Sequence, residues 1–186
     1  MKNNRIGRMC KCALMSAAIA ALAVVSVPLP FTPIPISLAT FAVMLAGALL
    51  GPLDGVISTT VYLLLGAAGV PIFAGMKGGA GVLFGPTGGF LVGYIALAFG
   101  CGILPKVLGK KRGSFAAQLV SMLLSNIALY TFGCSWFVFS AGVGLQAAVG
   151  ACVLPFLPGD VLKMVAAALL SARFAKVVSD FGTARN

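Results

Sequence analysis

Histidine is absent from this 186-residue chain, and only three residues are acidic: Asp54, Asp160 and Asp180. The first absence removes Ser-His-Asp and Cys-His nucleophile arrangements and the commonest zinc ligand in one step. The second leaves too few carboxylates for a carboxylate-rich metal site. No G-x-x-x-x-G-K-[ST] run occurs, so the chain has no phosphate loop with which to hydrolyse a nucleoside triphosphate. The five cysteines (Cys10, Cys12, Cys101, Cys134, Cys152) are an odd set without C-x-x-C spacing. Cys10 and Cys12 are expected to stay reduced, and the others to act as small apolar packing residues. An enzyme would have almost no raw material here, and no cofactor or metal is expected.

Charge is scarce as well. Charged residues make up 9% of the chain, against about 25% in a soluble domain. The chain is 60% hydrophobic, with a mean hydropathy of +1.10. No stretch is left over to build a soluble core, so residues 1–186 read as one membrane domain within the lipid bilayer. The net charge of +10 does not point to nucleic acid, because the basic residues lie between apolar runs rather than along one polar face.

What is present divides into apolar runs and irregular connectors. A basic amino-terminal segment, residues 1–11, precedes an apolar run from Cys12 to Val27, read as an uncleaved first helix rather than a signal peptide because further spans follow directly. Ala13, Ala17 and Ala21 repeat along it every four residues, a stripe that serves internal packing by default and a partner subunit otherwise. Pro28 to Pro35 holds four prolines and reads as a rigid extended connector. Short spans are expected at 36–50 and 56–70, joined by a tight turn from Gly51 to Gly55. Pro71 to Gly89 holds seven glycines in 19 residues, either a flexible connector or a loop capping a pocket. Further spans are expected at 90–104, within 114–139 and at 160–178. The 14-residue run 141–154 is closer in length to a re-entrant piece. Ser121, Ser125 and Asn126 read as polar contacts between helices.

The fold expected is an all-α bundle of six transmembrane helices. On alternate sides, one face carries the four basic residues of the amino terminus, Asp54 in the Gly51–Gly55 turn, the basic loop from Lys106 to Arg112 and, from Arg173 on, three basic residues and one acidic, ending in a tail at 177–186; the other carries Lys77 alone. The positive-inside rule then places both termini in the cytoplasm and the chain in the cell membrane. The proline, glycine and Pro155–Asp160 segments would converge on the outer side.

Asp160 follows two prolines and a glycine and opens an apolar helix, where free backbone N–H groups favour an anion. Lys163 sits one turn later on the same face. Burying either charge at membrane depth costs about 2.5–3.5 kcal/mol. The pair is therefore either a solute site or a salt bridge fixing the helix start near the water interface. Aromatic residues near the connectors (Phe31, Phe41, Phe73, Phe84, Phe90, Tyr94) would suit a small, partly apolar solute bearing an amide or cyclic urea.

Six motifs then coincide with a known family. Pro33-Ile34-Pro35-Ile36-Ser37-Leu38-Ala39-Thr40-Phe41, Leu45-Ala46-Gly47-Ala48-Leu49-Leu50-Gly51-Pro52, Tyr62-Leu63-Leu64-Leu65-Gly66, Val70-Pro71-Ile72-Phe73-Ala74-Gly75, Phe84-Gly85-Pro86-Thr87-Gly88-Gly89 and Leu157-Pro158-Gly159-Asp160-Val161-Leu162-Lys163 occur in order. Together they resemble the BioY family, the biotin-binding S components of energy-coupling-factor (ECF) transporters. The resemblance implies a six-helix S-component fold. It also implies a biotin site using Asp160, Lys163, Phe41, Phe73, Lys77, Thr87 and Phe90, with the loop Gly75–Gly89 as a lid. Ala13, Ala17 and Ala21 would dock on a transmembrane coupling subunit driven by two ATPase subunits, and toppling of the whole subunit would deliver the biotin. The chain departs from the family at Ala39, where Gln is usual, which removes an expected polar contact. A self-sufficient secondary transporter with Asp160 as a proton site is the rival; it would favour inverted repeats, which are not evident. A homo-oligomer stays open.

Overall fold

The computed structural model describes residues 2–30, 32–109 and 114–183; Phe31, Lys110 to Arg112 and the last residues of the tail lie outside them. Ten elements follow in order: α1 (Lys2–Val24), β1 (Ser26–Leu29), β2 (Thr32–Ser37), α2 (Ala39–Leu50), α3 (Pro52–Ala67), α4 (Ala80–Phe84), α5 (Gly88–Val107), α6 (Phe115–Ala141), α7 (Leu145–Cys152) and α8 (Leu157–Thr183). Among the described residues, three helices are long and apolar enough to cross a membrane: Arg5–Val24 of α1, α5 and α6. The bent pair α7–α8, with a 52° break, counts as a fourth where the two are taken as one broken span. At 12 and 16 residues, α2 and α3 are shorter than the ~20 that a straight crossing takes.

The chain is mostly helical but not all-α. The proline-rich connector is extended, as its X-Pro steps require, and it pairs into a two-stranded antiparallel ribbon. Ser26 opposes Ser37 and Val27 opposes Ile36; the register then slips between Val27 and Leu29, where Pro28 has no N–H to offer the ladder. A two-stranded ribbon is marginal alone, and this one rests against α1 and α7.

The turn expected over Gly51–Gly55 shrinks to a single residue. Gly51 takes φ 95°, a left-handed value that suits glycine, and Pro52 starts α3 immediately. Asp54 and Gly55 therefore belong to the first turns of α3. A side chain at Gly55 would reach within 2.8 Å of the Gly47 Cα, so the two short helices lie backbone to backbone at that point. The core around them includes Ile19, Val43, Met44, Leu97 and Met122, each fully buried.

The last helix also begins earlier than its charge suggests. Leu157 opens α8, Pro158 occupies the first turn where a missing N–H costs nothing, and the Asp160 N–H already donates to the Phe156 carbonyl at 2.8 Å. Asp160 is a first-turn residue of α8 rather than its cap. The 141–154 run holds only the two turns of α7 before the chain breaks and turns into α8.

Candidate functional site: a buried ion pair between two chambers

A carboxylate buried at 4% exposure requires partners, and Asp160 has two. Lys163 Nζ lies 3.0 Å from its Oδ1, and the Tyr130 hydroxyl of α6 donates to its Oδ2 at 2.5 Å. Lys163, at 9% exposure, also donates to Thr40 Oγ1 of α2 at 3.2 Å. Behind Tyr130, Asn126 lies buried one turn earlier on α6. Three helices thus converge on one ion pair. The i, i+3 spacing puts Asp160 and Lys163 on one face of α8, and α6 and α2 supply what that spacing alone lacks.

The ion pair lines an inner chamber with Thr40, Tyr130, Cys152 and Phe156. An outer chamber lies next to it, lined by Phe73, Lys77, Val82 and Thr87 of the α3–α5 connector and by Leu91 of α5. Ile34, Pro35, Ser37, Phe90 and Tyr94 border both, so the two are neighbouring parts of one cleft. Including their open mouths, the inner and outer chambers hold about 380 and 470 Å³ of empty space. A larger void of about 1080 Å³ lies between α4, α5 and α6, but its lining of Leu83, Phe84, Val92, Phe132 and Phe139 carries no charge. The chemistry sits in the cleft and not in this larger void.

The structure brings Asp160, Lys163, Phe73, Lys77, Thr87 and Phe90 to this cleft. Phe41 is half-buried against the core and lines neither chamber. Ala39 is buried at 1% exposure and is likewise not at the wall. Phe84 faces the apolar void instead. Phe73 is 1% exposed, its ring edge-on to Tyr62 with centroids 5.5 Å apart. The proline ribbon, the glycine-rich connector and the start of α8 meet here, as their irregular sequences suggested. Ala13, Ala17 and Ala21 face outward, while Cys12, Ser16, Ile19 and Ala23 form the buried stripe of α1. Internal packing therefore does not explain the alanine repeat.

Sequence reasoning missed Tyr130, Thr40 and Ser37. The signal for Tyr130 was its position: a tyrosine inside an apolar span needs a partner for its hydroxyl, and the chain has three tyrosines in all.

A mostly helical membrane protein with a buried acid–base pair in a largely apolar cleft fits a solute-binding class of protein. The BioY family pattern matches residues 1–180. The chain is 41% identical over 165 residues to the "Biotin transporter BioY" of Rhizobium etli, covering 85% of this chain and 87% of that protein. It is 38% identical over 168 residues to the "Biotin transporter BioY" of Thermotoga maritima, covering 90% and 95%. A crystal structure described as the S-component for biotin from an ECF-type ABC transporter superposes with a TM-score of 0.86 at 29% identity, covering 95% of this chain and 94% of that one. The chain belongs to the BioY family.

Proposed function

We propose that this chain takes up biotin as the substrate-capturing S component of an ECF transporter, with Asp160 and Lys163 as its ureido site. The observation that carries this reading is the unused hydrogen-bonding capacity at the buried pair. A carboxylate accepts about four hydrogen bonds, of which Tyr130 and Lys163 take two, leaving two acceptor sites for the two N–H groups of a cyclic urea. Lys163 has three N–H donors and uses two, on Asp160 and Thr40, which leaves one for the urea carbonyl. The apolar ring system would lie against Phe90 and Tyr94, and the acyl tail would run into the outer chamber beneath Phe73 and Thr87. Lys77, with no carboxylate partner among the described residues, would meet the tail's carboxylate there.

In this reading α2 and α3 are short crossings beside α1, α5, α6 and the broken α7–α8, which gives six, with both termini in the cytoplasm of a bacterial-type cell membrane. The Arg8–Asp54 ion pair supports it by joining the amino-terminal helix and the first turn of α3 at one end of the bundle, where basic residues are dense. The outward-facing Ala13, Ala17 and Ala21 would let a transmembrane coupling subunit pack closely, with two ATPase subunits supplying the energy.

Titration calorimetry of biotin into the purified, detergent-solubilised chain tests the assignment. Binding at about nanomolar Kd is expected, weakened at least about tenfold (~1.4 kcal/mol) by Asp160→Asn. A folded wild type that fails to bind biotin overturns the reading.

A further inference from the structure

The connector between α3 and α5 supplies one wall of the outer chamber; its first half is anchored by the buried Phe73 and by the Gly79 N–H donating to the Gly66 carbonyl at 2.7 Å, whereas its second half is held more loosely. Its short helix α4 has no buried residue. Two side-chain hydrogen bonds fasten it to other parts of the fold. The Gly75 N–H donates to Ser26 Oγ of β1 at 2.8 Å, and the indole N–H of Trp136, on α6, donates to the Gly85 carbonyl at 2.9 Å. Gly85 follows the last residue of α4 in extended conformation, and its carbonyl, which also accepts from the Gly88 N–H at 3.0 Å, takes the indole as a second donor and as its tie to α6. The ring beside it is interlocked with bare backbone. A Cβ at Gly89 would stand 2.2 Å from the Trp136 Cβ, and one at Gly88 would stand 3.1 Å from the indole nitrogen. Trp136 also borders the apolar void, where little water competes for its N–H. The same helix, α6, carries Tyr130 at the inner chamber, so one rigid element ties the Asp160 carboxylate to the fastening of the opposite wall.

We propose that Trp136 is a positioning residue, the latch that holds the Gly75–Gly89 connector closed over the outer chamber. The latch sets how long a bound solute stays, while Asp160 and Lys163 set whether it is recognised. The inference rests on the cleft being the biotin site.

Because Trp136 is the chain's single tryptophan, replacing it also removes the intrinsic tryptophan signal, so release is followed with fluorescently labelled biotin in every variant. The experiment compares wild type with Trp136→Phe, both as purified full-length protein, in stopped-flow biotin binding and in amide hydrogen exchange of residues 78–87 without ligand. The variant should release biotin about three- to tenfold faster, the worth of one net hydrogen bond, with association changed less than about twofold. Its connector amides should exchange faster. Should the phenylalanine variant not fold, benzothienylalanine at position 136 keeps the ring's shape and removes only the N–H, with the same expected result. A fluorotryptophan there keeps the N–H and should restore wild-type release. If wild type binds biotin and the N–H-lacking protein matches it in release and exchange, the latch is overturned. If wild type binds no biotin but the connector still loosens, the latch stands and the biotin reading fails.

Discussion

Two ion pairs occur among the described residues, and they use the same two chemical groups to different ends. At one end of the bundle, Arg8 of α1 meets Asp54 of α3 with side chains 51% and 22% exposed. In the cleft, Lys163 meets Asp160 with side chains 10% and 5% exposed. The first pair is bathed by solvent, so its Coulomb energy is screened and it is worth at most about 1 kcal/mol. The second has lost its water, so each charge depends on the other and on Tyr130 and Thr40. A fold gains little from burying a pair it could replace with leucines. Under the proposed function, a solute that uses the pair is the reason one is kept amid an apolar core.

The largest effect should follow from breaking the buried pair. Asp160→Asn strands the Lys163 ammonium and should cost about 3–5 kcal/mol of stability, read as a lowered Tm in detergent. Adding Lys163→Met should recover much of that loss without recovering biotin binding. A double variant no more stable than the single would show that the pair is not coupled. Next in size, Tyr130→Phe removes a hydrogen bond to a charged group. It should weaken biotin binding by about 1.5–3 kcal/mol, and calorimetry would refute the role with an unchanged Kd.

The contrast between the pairs also explains how much could be read beforehand. Asp160 and Lys163 stood out because charges are rare in the chain and a three-residue spacing is local. Tyr130 and Thr40 did not, because they reach the pair across α6–α8 and α2–α8 contacts that no local pattern encodes. The prolines specified extended backbone, but pairing Ser26 with Ser37 is a tertiary outcome. Asp54 was placed in a loop because Gly51 and Gly55 bracket it. The weight lay instead with Pro52, which favours a first helical turn, and Gly51, which takes the strained dihedral alone. The alanine repeat was legible as a close-packing surface but not as an outward-facing one, since a period of four identifies a stripe and not its neighbour.

Between the two extremes lies Lys77, exposed at the mouth of the outer chamber. Lys77→Met should weaken biotin by up to about tenfold and leave the affinity for biotinamide, which lacks the carboxylate, unchanged. Equal losses for both ligands would remove the lysine from the acid's recognition.

The smallest effect should come from the solvated pair. Arg8→Ala takes away a contact that water and salt already weaken, so stability should fall by about 1 kcal/mol or less, and by less still at 0.5 M salt, where screening acts within a few ångströms. Biotin affinity should not change, because the pair joins α1 to the start of α3 at the far end of the bundle from the cleft. Cys12, which also donates to the Asp54 carbonyl at 3.7 Å, keeps the two helices in register without the arginine. A loss from Arg8→Ala as large as that from Asp160→Asn, or one indifferent to salt, would mean that exposure does not separate the two pairs. Burial would then not be the reason to assign the solute to Asp160.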